Sequence, residues 1–122
     1  MKRTIALIAH DGKKADMVAF VKDHIEFLQN AHIIATGTTG SYVAKTGLNV
    51  ELKLSGPKGG DAQIAALTAE GKVDGIIFFR DPLGKHVHEP DIQMLMRISD
   101  LYNVPLATNP ATGSLIIEGL FT

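Results

Sequence analysis

Apolar residues in this chain recur in two alternating rhythms, and the alternation predicts the fold. The run "TIALIAHD" is continuously apolar until His10 and Asp11 and predicts a buried strand with a polar end. The following "KKADMVAFVKDHIEFLQNA" places Met17, Val18, Val21, Ile25 and Leu28 at helical spacing. The same succession then repeats. "HIIATGTTG" reads as a short strand entering Gly37, Thr38, Thr39 and Gly40, and "SYVAKTG" as a short helix stopped by Gly47. "VELKLSGPKGG" predicts a third strand running into a glycine loop. "DAQIAALTAEGK" predicts a helix with Ile64, Ala65 and Leu67 inward and Gly71 closing it. "VDGIIFFRDPLG" carries the clearest interior strand, Ile76 to Phe79. Pro90 then opens a helix over "DIQMLMRISDLYN", whose stripe is Ile92, Leu95, Met96, Ile98 and Leu101. "VPLATN" and "PATGSLIIEGL" supply a last strand and a terminal helix.

Strands alternating with helices across short loops predict an α/β fold: a single-domain three-layer α/β/α sandwich, residues 1–122, around a predominantly parallel five-stranded sheet. Ligands of such sheets bind at the carboxyl ends of the strands. In this sequence those ends carry His10 and Asp11, Thr36 to Gly40, Ser55 to Asp61, Arg80 and Asp81, and Thr108 and Asn109. They are expected to converge on one rim.

Composition narrows the chemistry. Twelve Lys plus Arg against thirteen Asp plus Glu leave no summed field for nucleic acid or an anionic membrane. The absence of cysteine excludes disulfide and thiolate chemistry. The apolar run after "MKR" is too short for a signal peptide core or a membrane span, so a cytoplasmic protein is expected.

The run "TGTTG" can cradle an anion. Its glycines let backbone N–H groups turn toward a ligand, its threonines add hydroxyls, and the next helix adds its dipole. The same residues also suit a tight turn with Thr39 or Ser41 capping a helix. A second glycine loop at Gly56 to Gly60, with Ser55 beside it, favours anion binding, although Pro57 offers no N–H. Lys14, just inside the first helix, can reach back over the strand ends or remain solvated. His10, Asp11, Asp61, Asp81, His86, His88 and Asp91 are the acid and base groups. His86, His88 and Asp91 match zinc in ligand type but in no known metal spacing, and no serine nucleophile elbow occurs. Asp61 and Asp81 also suit a helix cap and a turn.

Six stretches, "IALIAHDGKK", "ATGTTG", "LSGPKGGD", "IIFFRDPL", "HVHEPD" and "VPLATNPATG", together resemble the methylglyoxal synthase family, in order and over essentially the whole chain. That resemblance implies conversion of dihydroxyacetone phosphate to methylglyoxal and inorganic phosphate. It implies Asp61 as catalytic base, Asp91 as a second carboxylate, His88 near the substrate carbonyl and hydroxyl, and His10 at the active site. It further implies phosphate binding by Lys14, Thr36, Thr38, Thr39, Ser55 and Gly56. A homohexamer, no metal or organic cofactor, and inhibition by phosphate with cooperative behaviour follow from the same resemblance. The rival reading is a noncatalytic regulatory module that binds phosphate or a nucleotide on the same rim.

Overall fold

The residues Ile5 to Ala9 are wholly buried, and only the middle of a sheet covered on both faces removes so long an apolar run from water. The computed structural model describes residues 2–84 and 92–121. Its strands are β1 (Thr4–Ala9), β2 (His32–Ala35), β3 (Val50–Leu52), β4 (Gly75–Phe79) and β5 (Leu106–Ala107). They lie in the order β3-β2-β1-β4-β5 with every pairing parallel, so all the strand ends share one edge. The three-layer sandwich and its five strands are as the alternation predicts.

Successive side chains along a strand face opposite layers. Ile5, Leu7 and Ala9 of β1, with Ile77 and Phe79 of β4, pack against Met17, Phe20 and Val21 of α1 (Lys14–Asp23). Leu28 of α2 (Ile25–Leu28), Val43 of α3 (Gly37–Ala44) and Ile117 of α6 (Pro110–Phe121) complete that layer. Ala6, Ile8, Ile34, Ile76 and Phe78 face the opposite way, against Ile64 and Ala65 of α4 (Gly60–Ala69) and Leu95 of α5 (Ile92–Tyr102). Each fully buried large side chain contributes about 1.5–3 kcal/mol by leaving water. The chain winds from β1 outward through β2 to β3, then returns to lay β4 on the other side of β1. The topological switch therefore falls between β1 and β4, the place where open parallel sheets leave a crevice for ligand.

Four local expectations are corrected. The first long helix is divided: a 3-10 turn spans Asp11–Lys13, and α1 and α2 are separated at His24. There the His24 Nδ1 lies 2.9 Å from the Phe20 carbonyl oxygen and the ring stacks on Phe20, so a side chain engages an acceptor that the helix would otherwise use alone. Phe20 is buried in that helix where Val18 is only half-buried. In α5, Met96 and Leu101 are exposed, and Ser99 turns inward with its hydroxyl donated to the Val104 carbonyl. Finally, β3 is an edge strand of only three residues, and α3 begins at Gly37 rather than after Gly40. The expected helix start at Pro90 lies outside the described residues. Gly71 has φ +78° just past α4, which suits a residue without a side chain closing that helix.

Candidate active site

The C-terminal ends of β1 and β2 are adjacent, and Thr39 joins them. Its hydroxyl accepts the Ala9 N–H at 3.1 Å, lies 3.2 Å from the Thr36 hydroxyl and 3.4 Å from the Lys14 Nζ. Lys14 also donates to the Ala9 carbonyl oxygen and pairs with Asp11 at 3.5 Å. Its side chain is therefore not the solvated one that a surface helix would carry: Lys14 is 8% exposed. A buried ammonium is costly unless its charge is met, and here the Ala9 carbonyl, the Thr39 hydroxyl and the Asp11 carboxylate lie around it.

The "TGTTG" run is the first turn of α3, with Thr36 in the N-cap position and extended backbone; neither Thr39 nor Ser41 caps it. The Gly37 N–H goes to the Leu54 carbonyl at 3.1 Å, and that of Gly40 to the Thr36 carbonyl at 2.7 Å. The Thr38 and Thr39 amides lie in the turn that has no helical acceptors, at the positive end of the helix. Thr36 and Thr39 are buried, and Thr38 is exposed. A methyl at Gly37 would stand 3.2 Å from the Ser55 nitrogen, so glycine lets the two loops touch. Ser55 and Gly56, both half-buried, thereby lie beside the α3 turn, with Gly56–Lys58 forming a 3-10 turn.

Asp61 is in the first turn of α4, and Gly59, at φ +101°, occupies the N-cap position instead. The carboxylate is 9% exposed, and its Oδ1 accepts the Ala62 N–H at 3.0 Å. A carboxylate in that turn is stabilised by the helix dipole.

His10 is buried at the β1–β4 switch. Its backbone N–H continues the ladder to the Phe79 carbonyl at 3.1 Å, and its ring meets Phe78 edge to face. The Asp81 backbone N–H donates to Nδ1 at 2.9 Å. Nδ1 is thus an acceptor, which puts the proton of the neutral ring on Nε2. Nε2 is buried without a hydrogen-bond partner among the described residues. Asp81 is a turn former as expected, accepting the Leu83 N–H at 3.0 Å, and it also orients His10, a role that nothing in the sequence signals. Nor does the sequence signal Gly12, where a methyl would stand 2.5 Å from the Asp81 Oδ2.

Arg80, Thr108 and Asn109, also at strand ends on this edge, line a cleft of about 430 Å³ with Lys13, Asp16, Phe79, Pro82 and Pro110. Asn109 accepts the Thr112 N–H at 2.9 Å and so caps α6. His86, His88 and Asp91, including the residues expected near the carbonyl, lie outside the described residues. Among the described residues no helix is long and apolar enough to cross a membrane.

The arrangement brings Lys14, the Thr36 and Thr39 hydroxyls and the first-turn amides of α3 together at the ends of β1 and β2, with His10 buried at the end of β1 and Asp61 buried in the first turn of α4. The MGS-like domain model matches residues 16–108. A methylglyoxal synthase from Ralstonia nicotianae is 52% identical over 98% of this chain and 89% of its own length. One from Acholeplasma laidlawii is 53% identical over 95% and 96%. The crystal structure of methylglyoxal synthase from Elizabethkingia anophelis superposes with a TM-score of 0.92 at 39% identity, covering 95% of this chain and 77% of that one. The chain belongs to the methylglyoxal synthase family.

Proposed function

We infer that this chain converts dihydroxyacetone phosphate to methylglyoxal and inorganic phosphate. The observation that carries the reading is the buried Lys14 ammonium, held at the end of β1 beside Thr39 in the first turn of α3. It supplies the fixed positive charge that a phosphate monoester needs, and Thr36, Thr38, Thr39, Ser55 and Gly56 would add donors to the phosphate oxygens.

With the phosphate held, Asp61 removes a proton from the hydroxymethyl carbon. The electrons pass to the carbonyl oxygen as an enediolate, and donors at that oxygen lower the barrier. His10, with its proton on Nε2, suits this role, and the family resemblance assigns His88 the same neighbourhood with Asp91 as the second carboxylate. A proton then passes from the hydroxyl on the former hydroxymethyl carbon to the former carbonyl oxygen, and the oxyanion left on the hydroxymethyl side closes to an aldehyde. The double bond moves to the bridging carbon, and the carbon–oxygen bond breaks with its electron pair leaving on phosphate. The released enol takes a proton on its terminal carbon and becomes methylglyoxal. Elimination requires the breaking bond to stand out of the enediolate plane, so the clamp selects the reaction by orientation as well as binding the substrate. No step calls on a metal or organic cofactor. Inhibition by phosphate follows from product binding to the same clamp, while a homohexamer and cooperative behaviour rest on the family resemblance and a cytoplasmic location on the short apolar run after "MKR".

Purified protein incubated with dihydroxyacetone phosphate should yield methylglyoxal and phosphate in equal amounts. Tight phosphate binding with neither product would instead identify the regulatory module.

A further inference from the structure

We propose that Gln63 is a positioning residue that locks the phosphate clamp to the helix carrying Asp61, an inference that rests on the proposed roles of those groups. The Leu54 peptide is the junction of the two loops. Its carbonyl accepts the Gly37 N–H of the α3 turn at 3.1 Å, and its N–H donates to the Gln63 Oε1 at 2.8 Å. The donor is a backbone amide, so the side-chain atom facing it must be the oxygen. Gln63 stands one turn into α4, two residues beyond Asp61.

The need for this bond follows from the sheet. β3 is an edge strand; the Lys53 N–H completes the ladder to the Ala35 carbonyl at 2.8 Å, so the next amide, that of Leu54, points away from β2. Leu54 is 49% exposed, so burial of its side chain holds the segment only in part. What fixes this segment on its outer side is α4. The Gly60 N–H donates to the Ser55 carbonyl at 2.9 Å, and a methyl at Gly60 would stand 1.7 Å from the Leu54 carbonyl oxygen. Gln63 adds the bond one turn further along, so that Leu54 is held from two successive turns of the helix. With two points of attachment the clamp cannot pivot about Gly60 relative to Asp61.

Gln63→Leu removes the acceptor at similar helix propensity, while Gln63→Glu keeps an oxygen in place. Because the Leu54 amide is solvent-accessible, water replaces the lost acceptor and the thermal midpoint is expected to change little. Turnover should fall about ten-fold in Gln63→Leu, since small displacements of a clamped substrate are costly. Asp61 stays on its helix and the phosphate loses its fixed angle, so elimination should suffer more than proton abstraction. Recovered dihydroxyacetone phosphate should then carry more solvent deuterium per methylglyoxal formed than with the wild type. Gln63→Glu should retain kcat within about two-fold and raise KM, because it adds a negative charge beside the phosphate loops. Wild-type kinetics and exchange ratio in Gln63→Leu, or equal kcat losses in both variants, would overturn the proposal. Asp61→Asn run in parallel separates the two ideas: turnover surviving there rejects the catalytic assignment itself, whereas a dead Asp61→Asn beside an unaffected Gln63→Leu rejects Gln63 alone.

Discussion

The Asp81 backbone N–H, 71 residues downstream, donates to the His10 Nδ1 at 2.9 Å and thereby sets which ring nitrogen carries the proton. A backbone donor cannot reverse its role as a hydroxyl can, so the neutral ring is held as the Nε2–H tautomer. Nitrogen-15 correlation spectra of the imidazole should show this tautomer; an Nδ1–H pattern would refute it. Substitution by Phe removes both the acceptor for Asp81 and the Nε2 donor. It should destabilise the fold by about 1–3 kcal/mol, since the Asp81 amide loses its partner, and reduce kcat more than it weakens phosphate binding.

Lys14 should act mainly on capture of the phosphate. Its replacement by Met is expected to raise KM and the phosphate inhibition constant by a factor on the order of 10², the loss that follows when one charge-assisted contact is removed. Stability should be unchanged or higher, because a well-packed apolar side chain often replaces a buried charge without loss. Thermal unfolding with and without phosphate distinguishes these effects: the variant should lose the stabilisation that phosphate gives the wild type.

Thr39 is expected to tolerate Ser and not Val. Valine leaves the Ala9 N–H without an acceptor and Lys14 without its hydroxyl contact, at a cost of about 1–3 kcal/mol. Serine keeps the oxygen. Urea titrations of the two variants should differ by that amount, and kcat/KM should follow the same order.

Gly60→Ala should be among the most damaging small substitutions in the chain. The added methyl overlaps the Leu54 backbone, which is itself hydrogen-bonded to Gly37, so no flexible side chain can move aside. Overpacking of this kind costs about 1–3 kcal/mol, and relief by loop displacement would separate Ser55 and Gly56 from Lys14. Near wild-type turnover in this variant would mean that the two loops need not stay in register.

Away from the site, the Lys53 ammonium 2.7 Å from Glu51 holds the Glu51 carboxyl below its usual range, with His32 adding a smaller effect. A depressed carboxylate pKa contributes stability above the unfolded value, and that contribution disappears as pH falls through the folded value. Lys53→Met should therefore be less stable than wild type at neutral pH, by no more than about 1 kcal/mol because Glu51 is half exposed, and equal to it in acid once Glu51 is protonated. Paired denaturation curves at the two pH values test the sign.

The pattern of apolar residues determined the layers and the strand ends, because a strand such as Ile76–Phe79 has nowhere to be buried except between two helical layers. The residue types at those ends, Thr36 to Gly40 and Ser55 to Asp61, also pointed to the proposed phosphate site, since glycines and hydroxyls next to a helix start suit an anion as well as a tight turn. What the sequence left open was decided by contacts between distant segments. Lys14 reads equally well as a surface lysine until β1 and β2 bring Thr39 beside it, and Arg80 and Asn109 come to line one cleft with Lys13, Asp16 and Pro82 only once the chain is folded. His10 has no visible tautomer until Asp81 arrives across the sheet. Gln63 gave no signal at all, because a polar residue on an exposed helix face acquires its partner only when the edge strand presents an unpaired amide to it. Local pattern fixes which surfaces are buried, whereas hydrogen-bond partners depend on strand order and register, and those are properties of the assembled sheet.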